Sequence, residues 1–187
     1  MGEDGRGDVD GIERWAADAR AADAIDARVR ERWLRTQAEE SSTLAGVLVA
    51  LAETATPVVV TTSTGRRHGG LVTMVGEDFF AVRRGEERVT LVAMAAVGSV
   101  EPPSSKGSLP IEGERQPSSS PVTLRDVLGH AVGDRPRLML YAGDARTTGR
   151  LIAVGLDVVT VRTDADPPTL AYVSLGSVSE ASLLDSG

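Results

Sequence analysis

Apolar residues recur with two different periods along residues 41–100. After Thr43 they are spaced by three and four positions as far as Leu51, and threonine often begins a helix, so this spacing predicts a short amphipathic helix. Pro57 ends the helical pattern, and short β-branched or apolar runs follow it, separated by glycines and by the loop RRGEER. These runs predict five strands, at 58–62, 71–75, 79–82, 89–93 and 97–100.

The same order of patterns recurs about 80 residues further along the chain. Thr123 and Leu124 repeat Thr43 and Leu44 at an offset of 80, a middle block matches at 79, and a last block that pairs Gly98–Val100 with Gly176–Val178 matches at 78. The repeated motif consists of Gly70, Gly76 and Asp78 in the first copy and of Gly149, Gly155 and Asp157 in the second. Three collinear blocks are typical of an internal duplication. The second copy therefore predicts a helix over 123–132, strands at 137–141, 150–154, 158–162 and 170–173, and a closing strand at Val178.

Short strands interrupted by glycine bends favour a curled sheet, because twisted strands of this length cover a core only when the sheet closes on itself. We therefore predict a mainly β protein with helices: two tandem five-stranded barrels of the SH3-like type, each preceded by a short helix, plus a long N-terminal helix. The predicted organisation is a disordered tail (1–10), an amphipathic helix (11–40), a first barrel unit (41–100), a flexible linker (101–121) and a second barrel unit (122–182). The long helix follows from apolar residues spaced by three and four between Ile12 and Trp33, and the linker from its content of Pro, Ser and Gly.

The repeated unit resembles the Sm-like family, which includes the LSm proteins and Hfq. The residues that carry the resemblance are Gly70, Val72, Asp78, Phe80 and Val82 in the first copy and Gly149, Leu151, Asp157, Val159 and Val161 in the second. The resemblance implies Sm-like barrels that pair edge to edge into rings and bind RNA. The family's RNA-contacting asparagine has no match here, since Ala81 and Thr160 lie in that segment, so the resemblance does not extend to the RNA pocket.

Composition and charge exclude several classes of function. The chain has 187 residues, no cysteine and two histidines, which argues against disulfides, thiolate zinc sites and histidine-rich metal sites. Motifs typical of nucleotide hydrolases, serine hydrolases and zinc peptidases are not found in the sequence. We therefore expect no enzymatic activity, no cofactor and no metal. The N-terminal residues lack an apolar signal segment, and no run of 18 apolar residues occurs, so we expect a cytoplasmic protein without a membrane partner.

Arginines supply the candidate ligand contacts. Candidate anion or nucleic-acid contacts are Arg66, Arg67, His68, Arg83 and Arg84 in the first copy and Arg28, Arg30 and Arg32 in the N-terminal helix. Alternatively, the arginines of the helix flank a face that packs or dimerises, and the repeated aspartates only accept backbone hydrogen bonds in their own turns. The net charge of −7 argues against an extensive nucleic-acid footprint.

The leading functional hypothesis is a non-catalytic Sm-like interaction or adaptor protein that assembles through barrel edges and the N-terminal helix. It predicts a protein partner or self-association. The alternative is a regulatory protein that binds RNA or DNA, with the first copy, richer in exposed arginines, as the ligand face.

Overall fold

A helix followed by five strands occurs twice along the chain. In the first half these elements are α1 (Leu44–Glu53), β1 (Pro57–Thr62), β2 (Arg67–Val75), β3 (Phe79–Arg84), β4 (Arg88–Ala93) and β5 (Val97–Glu101). In the second half they are α2 (Leu124–Ala131), β7 (Arg137–Ala142), β8 (Ala145–Val154), β9 (Val158–Thr163), β10 (Leu170–Ser174) and β11 (Val178–Leu184). Short 3-10 turns, Met94–Ala96 and Leu175–Ser177, precede the last strand of each half. The two short helices and the ten strands predicted for the repeated units are thus confirmed as elements.

The structure, a computed structural model, describes residues 43–85, 88–102, 118–119 and 121–184. The predicted tail (1–10), the predicted helix (11–40) with Arg28, Arg30 and Arg32, and most of the predicted linker (101–121) lie outside the described residues. Within that linker, β6 (Ser118–Ser119) pairs in parallel with β2. All the helices and strands given above belong to one unit, Leu44–Gly187.

The repeat is confirmed by the element order, but the predicted offset of its last block is wrong. The backbone oxygen of Asp78 accepts a hydrogen bond from the Met94 N–H, and that of Asp157 accepts one from the Leu175 N–H, which lies 81 residues beyond Met94. The β9–β10 connection is longer than the β3–β4 hairpin, and it contains Pro167 and Pro168. The identical letters Gly-Ser-Val at 98–100 and 176–178 therefore occupy different places in the two halves.

The prediction of two separate five-stranded barrels is wrong. Ten strands form one continuous antiparallel sheet in the order β10-β9-β8-β7-β11-β4-β3-β2-β1-β5. The two halves join where β11 pairs with β4, with Glu180 opposite Val92 and Ser182 opposite Thr90. An edge strand leaves a row of backbone N–H and C=O groups unpaired, and here each half satisfies one edge of the other. We call this β4–β11 junction the seam.

The hydrophobic core also crosses the seam. Phe79, Ala81 and Leu91 of the first half belong to the same buried cluster as Leu124, Leu128 and the inward residues of β7, β8 and β9. A second cluster, around Leu48, Val60 and Phe80, lies within the first half. Helix α2 begins with a capping box between Thr123 and Asp126, so Thr123, where the second helix was predicted to begin, is its N-cap. Because the larger cluster draws on both halves, they fold as one body rather than as independent barrels.

Candidate functional site

A buried carboxylate fastens the seam. Glu180 of β11 is only 1% exposed, and its two oxygens lie 2.8 Å from Arg66 Nε and 2.8 Å from His68 Nε2. Arg66 also donates to the Gly143 carbonyl and to Ser179 Oγ, and its guanidinium lies 3.8 Å from the centre of the Tyr141 ring. Arg66 immediately precedes β2 and His68 lies near its start, so these contacts link the first half to the second.

The burial of Glu180 and its contacts with Arg66 and His68 determine its charge state. Burial favours the protonated carboxyl and by itself raises its pKa, but the contacts with His68 and Arg66 favour the carboxylate and outweigh burial. The net effect holds the pKa of Glu180 below its ordinary value. Glu180 therefore acts as an ionised partner for the Arg66 guanidinium and the His68 ring.

The repeated aspartates have unequal surroundings. Asp78 Oδ1 accepts a hydrogen bond of 2.7 Å from the backbone N–H of Leu124, the first residue of α2, so this carboxylate caps a helix of the other half rather than its own turn. The neighbouring Glu77 N–H donates to the Val122 carbonyl across the same boundary. Their counterparts, Leu156 and Asp157, are exposed, and the neighbouring Gly155 carbonyl accepts a hydrogen bond from Arg125 of α2. The aspartate of this turn thus caps a helix in the first half, whereas in the second half it is exposed.

Exposed apolar side chains occur on β10 and α1 at positions whose counterparts in the other half are buried. Tyr172 on β10 is 70% exposed, whereas its counterpart Leu91 on β4, the strand that pairs with β11, is 6% exposed. Leu44 on α1 is 38% exposed, whereas its counterpart Leu124 is 3% exposed. The large exposed apolar side chains of the described residues are Leu44 and Val47 on α1, Leu156 in the β8–β9 turn, Leu170 and Tyr172 on the outer strand β10, and Leu183 on β11. Residues buried at the seam therefore have apolar, uncovered counterparts.

The two outer strands are the free edges of the sheet. β10 pairs only with β9 and β5 only with β1 among the described strands. β10 is the counterpart of β4, and β5 is the counterpart of β11, since Val60 faces Val100 as Leu140 faces Ala181. The free edges are therefore the same two kinds of strand that pair at the seam.

A groove of about 630 Å³ lies along the seam, between the strand ends of both halves. Arg67, Arg84 and Arg88 line it from the first half and Arg137 from the second. Val82, Val89, Met139 and Leu183 supply apolar lining, and Thr90 and Ser182 supply hydroxyls. Arg137 pairs with Asp164 at 2.8 Å. The other three arginines have no acidic partner among the described residues. We call this feature the arginine groove.

The structure separates the candidate contacts named from sequence. Arg67 and Arg84 lie in the arginine groove, whereas Arg66 and His68 are held by Glu180, although His68 also lines the groove. Arg83 lies outside the groove lining. Gly70 and Gly149 pack against the backbone of the neighbouring strand, and Gly76 and Gly155 lie in the turns before Asp78 and Asp157.

Sequence reasoning missed Glu180, Tyr141 and Arg137. An acid between apolar residues in the run VSEASLL is a signal that Glu180 occupies an unusual position, since a lone acid is rarely buried without a partner. Its partners lie more than 110 positions earlier in the chain, so no local pattern identifies them. Arg137 lines the groove only because β7 lies beside β11.

Among the described residues, no helix is long and apolar enough to cross a membrane. In the same part of the chain, no three or more His, Asp or Glu side chains gather into a group that could hold a metal ion. Comparison with known proteins gives no match for this chain, either among protein-family models or among curated proteins. The outer strands β10 and β5 and the arginine groove are therefore the features from which we infer a function.

Proposed function

We propose that this chain is a non-catalytic assembly protein whose copies join head to tail, β10 of one copy pairing with β5 of the next. The observation that carries the proposal is the seam itself. At the seam, β11 pairs with β4. Among the described strands, β5, the counterpart of β11, and β10, the counterpart of β4, are each paired on one side only. The same kind of contact between two copies would use the same backbone pattern. Assembly of this kind is heterologous and gives closed rings or open filaments.

The side chains at the free ends support the same arrangement. At the seam, Leu91 lies opposite Ala181, and a second copy in the same register would place Val100 opposite Tyr172. That contact would remove Tyr172 from water, as β11 does for Leu91. Burial of an aromatic side chain at an interface is worth about 1.5–3 kcal/mol when it is complete. The apolar end of β10 therefore suits a second copy of this chain.

Helix α1 would make the matching contact on the next copy. At the seam, Asp78 caps α2 and Leu124 is buried below it. Between two copies, Asp157 would cap α1 at the N–H of Leu44, and the exposed Leu44 and Val47 would cover the region near Leu156. The proposed contact would therefore contain the same capping of a helix by an aspartate, and the same kind of apolar packing, as the seam.

The Sm-like resemblance and a cytoplasmic location are part of this proposal. The repeated Gly and Asp positions and the edge-to-edge joining of similar halves support the resemblance. The nucleic-acid alternative is supported by the arginines of the groove, three of which lack an acidic partner among the described residues. Self-assembly is favoured because the unpaired edges and the exposed apolar residues occur together.

Light scattering after size-exclusion chromatography tests the proposal on the full chain. We expect the unmodified protein to have a mass that rises with concentration well above the 19.6 kDa of one chain. Tyr172→Lys should abolish assembly, because a lysine on the edge strand opposes pairing with another strand and cannot be buried in the contact without an acidic partner. Val47→Lys should do the same at the other end.

The two variants also complement each other. Each keeps one intact end, so a mixture of Tyr172→Lys and Val47→Lys should form a dimer and nothing larger. Leu183→Lys is the matched control, since Leu183 is 45% exposed on a strand that is paired on both sides, and this variant should assemble normally. A monomeric unmodified chain at every concentration would overturn the proposal.

A further inference from the structure

We propose that the arginine groove binds a compact phosphorylated molecule, of about the size of a mononucleotide, across the seam. The proposal is independent of head-to-tail assembly, because the groove lies within one chain. Arg67, Arg84 and Arg88 approach it from the ends of three strands, and strand ends hold side chains at fixed separations. Guanidinium groups form paired hydrogen bonds with phosphate oxygens, which makes arginine the usual residue for this recognition.

The shape of the groove favours a small ligand. Its volume of about 630 Å³ lies within the range of small-molecule sites, about 300–1,000 Å³. Val82, Val89 and Met139 offer an apolar surface for the body of such a molecule, and the hydroxyls of Thr90 and Ser182 offer hydrogen bonds. The Thr90 and Ser182 hydroxyls lie 3.0 Å apart, so both are within reach of a single polar group.

Two observations argue against an extended nucleic acid at this site. No aromatic side chain of the described residues lines the groove, whereas single strands are commonly held by stacking on aromatic rings. The chain carries a net charge of −7, which repels a long polyanion outside the groove. Glu86 and Glu87 separate Arg84 from Arg88 in the sequence and lie outside the described residues. A compact anion would contact the arginines of the groove without lying against the rest of the protein surface.

The arginine cluster is not repeated in the second half. The counterparts of Arg84 and Arg88 are Thr163 and Thr169, and the counterpart of Arg137 is Pro57. Of the four groove arginines only Arg67 has an arginine counterpart, Arg146. A contact between two copies therefore would not rebuild the arginine cluster, and we expect one phosphate site per chain. Because both halves line the site, a bound ligand should also stabilise the seam.

Isothermal titration of the full chain with ATP and with inorganic pyrophosphate tests the proposal. At about 50 mM salt we expect ATP to bind with one site per chain, and pyrophosphate to bind more weakly because it leaves the apolar surface uncovered. The double variant Arg84→Ala with Arg88→Ala should weaken ATP binding by about tenfold or more, since it removes two charged hydrogen-bond donors. The matched control is Arg146→Ala with Arg162→Ala, on exposed positions of β8 and β9 outside the groove, and it should bind like the unmodified chain.

The outcomes are distinguishable. Failure of both probes to bind, or equal weakening in the control variant, would overturn the proposal. Binding of a short single-stranded RNA in the absence of ATP and pyrophosphate binding would assign the groove to nucleic acid instead. Repeating the titration on Tyr172→Lys separates this result from assembly, because that variant keeps every residue of the groove.

Discussion

Replacing Gly149 by alanine should destabilise the protein by about 3 kcal/mol, the upper end of the usual cost of overpacking. A Cβ atom at this position would contact the carbonyl oxygen of Arg162, and it would lie 2.7 Å from that carbonyl carbon and 2.8 Å from Thr163 Cα. All three atoms belong to the backbone of β9, which pairs with β8 on both sides of this point, so no side chain can move away. The free energy of unfolding in urea measures the effect.

Gly129 provides the matched control. It lies on the exposed side of α2, and a Cβ atom there would meet nothing within 4 Å. Gly129→Ala should therefore raise the free energy of unfolding by about 0.5–1 kcal/mol, because alanine favours the helix. Equal stability of Gly149→Ala and the unmodified chain would show that β8 and β9 do not approach as closely as described.

Replacing Glu180 by glutamine should lower the free energy of unfolding by about 3 kcal/mol. Removal of one member of a buried ion pair typically costs about 3–5 kcal/mol, because the remaining charges lose their partner. The lower end applies here, since the side chains of Arg66 and His68 keep 23% and 21% of their surface exposed. Chemical unfolding near neutral pH measures the difference. Asp164→Asn is the control: its pair with Arg137 is 40–46% exposed and should contribute at most about 1 kcal/mol.

The Glu180 contribution should depend on pH in one direction. Its pKa in the folded protein lies below the ordinary value of 4.5, so its stabilisation is fully present above pH 4.5 and is lost as the pH falls through the folded pKa. The difference in unfolding free energy between the unmodified chain and Glu180→Gln should therefore shrink in acid. A difference that stays constant down to the lowest pH at which both fold would contradict the assignment of Glu180 as the ionised partner of Arg66 and His68.

Local elements of this fold were predictable because each depends on neighbouring residues. The spacing after Thr123 specifies a helix, and the β-branched run around Val59 specifies a strand, whatever lies elsewhere in the chain. Gly70 and Gly149 recur at matching places because each strand passes close to the next one. The duplication was predictable because its matching residues can be seen in the sequence itself.

The joining of the two halves was not predictable from such patterns. Both ends of a five-stranded unit carry unpaired backbone groups, and nothing local to β4 indicates that β11 covers it. Leu91 has the pattern of an ordinary strand residue, yet it is buried beneath the second half. Arg66 resembles a free loop arginine, but its partner Glu180 is distant in sequence. Reversal of Arg66 is therefore unsuitable as a test of ligand binding, whereas Arg84 and Arg88 serve that purpose.

Disulfide trapping between copies tests the proposed head-to-tail contact most directly, since the chain has no cysteine of its own. At the seam, the Thr90 and Ser182 hydroxyls lie 3.0 Å apart, and the counterparts of these residues are Ala171 on β10 and Glu101 on β5. Cysteines at both counterparts should lie within disulfide reach across two copies, because directly opposed antiparallel residues have Cα atoms about 4.5–5.5 Å apart, within the range of about 4.4–6.8 Å found in disulfides.

The full chain carrying Ala171→Cys and Glu101→Cys should, under mild oxidation, give a ladder of covalent oligomers or a single closed ring on a non-reducing gel. Either single variant alone should give no species beyond a dimer. A control that combines Glu101→Cys with Gly129→Cys, on the exposed side of α2, should give no ladder. If the Ala171→Cys, Glu101→Cys variant gives no more cross-linked product than this control, β10 does not pair with β5 of a second copy and the account of assembly is wrong.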